Sequence, residues 1–187
     1  MGMEPLLLAD AIHVAEACLA SAWGCCVPMV MAESSDCDPC AICRLHAESS
    51  ALAPVVIWES CHWLLRHHPL PAPIAGWCLL DAKRHFSGPI EFTEFEAREW
   101  GCMVQRASSL VKQVSGCDRV YVIAFGEGAR HLHLHLIPRH GKDERTAAWQ
   151  VADLYRQVEA GILPPADPMT VDVFLRDVRL QASRVLS

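Results

Sequence analysis

An α+β fold is predicted from three observations. Short runs of β-branched and apolar residues, bounded by Pro and Gly, fill the middle of the chain. One long helical segment with a clear start and stop interrupts them, and two further helical segments follow. Alternation of polar and apolar residues at 131–137 gives one strand an unambiguous two-faced character. Strands with short connections and helices gathered between and after them point to an antiparallel sheet with one long packed helix.

From the N-terminus, residues 5–21 place Leu8, Ile12, Ala15 and Leu19 on one side of a helix. Residues 32–50 are polar and irregular and read as a linker. Residues 55–58 and 62–65 read as strands; Pro69, Pro71 and Pro73 then force an extended turn, and 74–81 reads as the next strand. Thr93-Glu94-Phe95-Glu96 has the capping-box pattern, with a helix expected to run to Ser115 and stop at Gly116. Residues 120–125 form another strand, Gly126-Glu127-Gly128 a tight segment, and 131–137 the last strand, ended by Pro138. Helices are expected at 146–160 and 168–184, the second with Asp167 as cap and Pro168 in its first turn. The expected organisation is an N-terminal helical extension at 1–35, a sheet-bearing domain at 36–145, and a C-terminal helical extension at 146–187 packed on that domain.

Composition narrows the function. The 187 residues are 52% hydrophobic and 20% charged, which is a globular balance with enough apolar material for a core. A net charge of -6 argues against a nucleic-acid polymer as partner, because phosphate backbones select basic surfaces. The apolar stretch at 6–23 is broken by Asp10, His13 and Glu16, so it reads neither as a membrane span nor as a signal core. The ten cysteines are expected to be mostly free thiols in a reducing, cytoplasmic setting, some of them on a metal.

The chemistry concentrates at the last strand. His131, His133 and His135 alternate with Leu132, Leu134 and Leu136, so the histidines are expected on one face and the leucines in the core. Each ring needs a polar partner, and packing alone does not call for three in a row. A solvated polar face and a metal site are the other two readings of such a row.

The stretch from His131 to Arg139 resembles the histidine triad family, whose pattern is His-φ-His-φ-His-φφ, often followed by Pro-Arg. A weaker resemblance runs from about Cys40 to Phe174 and includes residues 76–85, the Thr93 helix and residues 120–127. The first thirty-odd residues have no counterpart. The resemblance implies that His133 is the nucleophile toward a nucleotide α-phosphorus, forming a covalent nucleotidyl-histidine, with His131 and His135 orienting it and donating to phosphate oxygens. It implies an enzyme, a hydrolase or nucleotidyl transferase, acting on phosphate esters, anhydrides such as diadenosine polyphosphates, or phosphoramidates. It also implies a homodimer. Gly126, Glu127, Gly128 and Arg139 are the expected substrate contacts, a plain β-turn being an equally open reading of the two glycines.

Two departures support a different class, a nucleotide-binding regulatory module with little or no catalysis. Glu127 stands where many members carry glutamine, and the family's acidic or amide ribose contact is not evident at 65–69. Arg66, His67 and His68 occupy that region and read first as a solvated edge, contact with an anionic group being the second reading.

Cys40-Ala41-Ile42-Cys43 is a CxxC, a spacing that lets two sulfurs meet one ion. The resemblance implies structural zinc held by Cys40, Cys43, His85 and His131, with Cys37 able to replace either cysteine. No organic cofactor is expected.

Overall fold

The computed structural model describes residues 40–186. Two short helices, α1 (Ala41–Ala47) and α2 (Ser49–Leu52), open it. Strands β1 (Val56–Glu59), β2 (Trp63–His67) and β3 (Cys78–Ala82) follow as an antiparallel meander. After the long helix α3 (Glu94–Ser115) come β4 (Arg119–Ile123) and β5 (His133–Arg139), then α4 (Val151–Glu159) and α5 (Pro168–Val185). β5 inserts between β3 and β4, giving the antiparallel order β1-β2-β3-β5-β4. The α+β class with its antiparallel sheet and long packed helix is therefore as expected.

Period-two burial divides the sheet into two faces. Trp63, Leu65, Cys78, Leu80, Leu134 and Leu136 face the same core as Met103, Ala107, Leu110 and Val111 of α3. Val171, Phe174, Leu175 and Val178 of α5 join that core. On the opposite face Ile137 packs with Val151, Leu154 and Val158 of α4. Helices thus cover both faces, and α1 and α4 stand on the same side.

The long helix is fixed by local chemistry. Thr93 Oγ1 accepts from the Glu96 N–H at 3.3 Å while the Glu96 carboxylate accepts from the Thr93 N–H at 2.7 Å. Gly116 ends the helix at φ +65°, a left-handed conformation that suits glycine. Asp167 caps α5 by accepting from the Thr170 N–H at 3.0 Å, with Pro168 in the first turn.

Several expectations are corrected. Ala41–Ala47 and Ser49–Leu52 are helical and not an irregular linker, and the segment expected to be helical at 146–160 is α-helical only over Val151–Glu159. β5 begins at His133, two residues late, and Pro138 lies within it, opposite Val120. Proline is tolerated there because pairing with β3 has already ended at Leu136. Arg66 and His67 are 2% and 0% exposed, so the solvated-edge reading fails: β2 is an inner strand. Among the described cysteines Cys40, Cys43, Cys78 and Cys117 are free, in line with the expectation of mostly free thiols, and Cys61 and Cys102 are disulfide-bonded. The helix expected at 5–21, the rest of the 1–35 extension and Cys37 lie outside the described residues. Among the described residues no helix is long and apolar enough to cross a membrane.

Candidate active site and metal centre

The leucines of β5 go to the α3 core, and His133 and His135 go to the other face, their ring centroids 5.2 Å apart. His131 does not continue that row. It precedes the strand, is 2% exposed, and carries its ring toward Cys43 and His85. Sequence alternation thus groups three rings that the backbone separates into two sites.

Hydrogen bonds set the tautomer of each ring. His133 Nδ1 lies 2.6 Å from the backbone carbonyl of His131. A carbonyl only accepts, so Nδ1 carries a proton, and in the neutral ring Nε2 keeps its lone pair. In His135 the indole N–H of Trp77 donates to Nδ1 at 2.9 Å, so the neutral ring carries its proton on Nε2. Burial, with His133, His68 and Arg66 nearby, pushes the His135 pKa down to about 3, so this ring is neutral at pH 7. The two rings present a lone pair and a donor side by side.

His133 and His135 line a cavity of about 940 Å³. Arg66 and Leu79 complete its floor, Ile42 and Leu45 of α1 form one wall, and Tyr155 and Arg156 of α4 form another. The Gly126–Gly128 segment and Ala129 also line it. Gly126 adopts φ +70°, where a side chain would be strained, and the N–H groups of residues 126–128 make no hydrogen bond among the described residues. Glu127 lines the cavity but is exposed. Arg139 is not brought to the cavity: its guanidinium donates to the Asp143 carbonyl at 2.6 Å, Thr146 Oγ1 at 3.0 Å and the His140 carbonyl. A shallower depression of about 550 Å³ near Pro54 and Arg179 holds none of the histidines.

Sequence reading missed the charged pair on the cavity floor. Arg66 Nε donates to Asp81 Oδ2 at 2.6 Å, and His46 Nε2 of α1 meets the same oxygen at 3.0 Å. Burial pushes the Asp81 carboxyl up, but Arg66 and His46 outweigh it and hold it below the usual carboxylate range. His68, with Nδ1 donating to the Pro69 carbonyl at 2.8 Å, stands against Tyr155 at 5.5 Å between centroids. Burial pushes it down to about 4. A partner fifteen residues away cannot be read locally; the polar run at 66–68, directly after the apolar residues 63–65, is the signal that could have found the pair.

A second cluster lies beside the cavity. Cys40, Cys43, His85 and His131 bring one donor atom each to within 4.8 Å of one another. Cys43 Sγ is 3.4 Å from His85 Nδ1 and 3.4 Å from His131 Nδ1. The His131 Nε2–H donates to the Ala82 carbonyl at 2.7 Å, leaving Nδ1 as a lone-pair donor turned to the cluster, as metal-ligating histidines are held. Burial and the adjacent Cys40 push the Cys43 thiol up to about 11; a coordinated cation displaces such a proton. Two sulfurs and two imidazole nitrogens are donors of the type that zinc favours, and the cluster is able to hold a metal ion.

No family model and no curated protein matches the chain. Solved structures do. A zinc-bound histidine triad family protein of Mycobacterium smegmatis matches at TM-score 0.52 and 18% identity, covering 76% of this chain and 96% of that one. A histidine triad protein of Bradyrhizobium japonicum matches at TM-score 0.51 and 24% identity, over 70% of this chain and 93% of its own. A hypothetical histidine triad nucleotide-binding protein of Sulfolobus tokodaii matches at TM-score 0.51 and 17% identity, over 70% and 84%. With its sheet order, its long packed helix and its paired histidines on the cavity face, the chain has the fold of the histidine triad proteins.

Proposed function

We propose that this protein is an enzyme that cleaves nucleotide phosphate esters, anhydrides or phosphoramidates through a covalent nucleotidyl-histidine on His133. The observation that carries this reading is the 2.6 Å hydrogen bond from His133 Nδ1 to the His131 carbonyl, in a residue that lines the cavity. It leaves Nε2 free, and a neutral nitrogen approaches a phosphate without charge repulsion. Nε2 attacks the phosphorus, an N–P bond forms, and the bond to the leaving group breaks with its electron pair. Water or another acceptor then attacks the same phosphorus and returns the electron pair to Nε2. His135 Nε2–H and the free N–H groups of residues 126–128 supply donors for the phosphate oxygens. The exposed Glu127 has room to turn away from the phosphate.

On this reading Cys40, Cys43, His85 and His131 would hold zinc in a structural role, which would supply rigidity beside the cavity. The protein acts as a homodimer on small nucleotides such as dinucleoside polyphosphates. Intact-mass analysis after incubation with a panel of such nucleotides tests the chemistry. A nucleotidyl adduct on the wild type that is absent from His133→Ala supports it. Turnover by His133→Ala within about tenfold of wild type would overturn it, since loss of a covalent nucleophile costs several orders of magnitude.

A further inference from the structure

The cavity floor holds a charged group that the histidine chemistry leaves unused. Arg66 of β2 pairs with Leu79 of β3, and Leu79 pairs with His135 of β5. Two strand spacings, about 10 Å of backbone, separate Arg66 from the histidine strand. Leu79, 4% exposed, forms an apolar strip between them. A ligand with its phosphorus at His133 that lies across Leu79 ends at Arg66.

Arg66 is 2% exposed, and its planar fork is held in one orientation. Nε and Nη2 donate to Asp81 at 2.6 and 3.4 Å, while Nη1 makes no hydrogen bond among the described residues. Asp81 divides its charge, because Oδ2 also meets His46. Buried ion pairs of this kind add little stability over apolar residues of the same volume. The neighbouring positions Leu64 and Leu79 show that this face of the strands accepts leucine. What the pair provides is a preoriented cationic fork with donors to spare, and such forks match the two oxygens of a carboxylate or phosphate. The acids that line the same cavity, Glu127 and Glu159, are exposed, whereas the floor is not.

We propose that Arg66, oriented by Asp81, binds a second anionic group of the substrate, a carboxylate or phosphate carried on the far side of the molecule from the reacting phosphorus. The site thereby selects ligands charged at both ends. This rests on His133 as the phosphorus site.

Calorimetry on the full chain tests it with three probes: adenosine 5′-monophosphate, adenosine 3′,5′-bisphosphate, and the 3′-O-succinyl ester of adenosine 5′-monophosphate. The wild type should bind at least one doubly anionic probe about tenfold more tightly than the monophosphate, as a charge-assisted bidentate contact provides. The bisphosphate and succinyl arms separate a phosphate partner from a carboxylate. The double variant Arg66→Leu/Asp81→Leu removes both charges and leaves neither unpaired; it should lose the preference while retaining monophosphate binding. Arg66→Lys, which keeps charge without the fork, should reduce the preference. Equal affinities in the wild type, no binding of any probe, a preference that survives in Arg66→Leu/Asp81→Leu, or one undiminished in Arg66→Lys overturns the proposal. Because the readout is binding, a missing His133 adduct with a retained two-anion preference removes the chemistry and leaves this site. An adduct without the preference removes this site alone.

Discussion

The two faces of the sheet bury their side chains by different means. Toward α3, Leu65, Leu80 and Leu136 are all 0% exposed and sit in one apolar cluster. Toward the cavity, Arg66, Asp81 and His135 are also buried, yet each has a named polar partner: Asp81 for Arg66, Arg66 and His46 for Asp81, and Trp77 for His135. The first face contributes stability in proportion to area removed from water. The second contributes little net stability, because desolvation offsets the hydrogen bonds. Its product is orientation: protons placed on chosen nitrogens and a guanidinium held flat. Equal burial therefore does not mean equal purpose.

The comparison is broken most severely at Asp81. Asp81→Ala strands the Arg66 charge in the interior and should cost about 3–5 kcal/mol in denaturant unfolding, whereas Arg66→Leu/Asp81→Leu should unfold close to wild type. On the apolar face there is no such rescue: Leu80→Ala should cost about 2–5 kcal/mol by transfer and cavity terms, whatever is done to its neighbours.

Acid should separate the faces next. The folded-state pKa of Asp81 is depressed, so its contribution is present above the unfolded carboxylate value of about 3.9 and is lost as pH falls through the folded value. Stability measured from pH 6 down to pH 2 should decline, and Arg66→Leu/Asp81→Leu should decline less steeply. A parallel decline in both proteins would mean that other carboxylates carry the acid sensitivity. The smallest effect belongs to the helix start: Thr93→Ala removes one half of the capping box and should cost about 1 kcal/mol, without altering nucleotide binding.

Legibility in the sequence follows the range of the forces involved. Thr93, Glu96 and Gly116 bound α3 where expected because caps are settled within four residues of chain. The leucines of β5 were legible for a similar reason, since alternation is a property of the strand itself. The ends of β5 were not, because they are set by where β3 stops pairing. α1 was hidden in a polar stretch that presents no buried residue of its own; its Cys43 and His46 make their contacts with residues far along the chain. Arg66 was misjudged for the same reason, its carboxylate being supplied by the next strand.

One residue belongs to both centres at once. The ring of His131 faces Cys43 and His85, while its own carbonyl receives the Nδ1 proton of His133. The two centres therefore share a single rigid joint, and a shift of that peptide moves both together. Replacing His131 removes the ring from one centre but keeps the carbonyl for the other, so it reaches His133 only by moving that peptide.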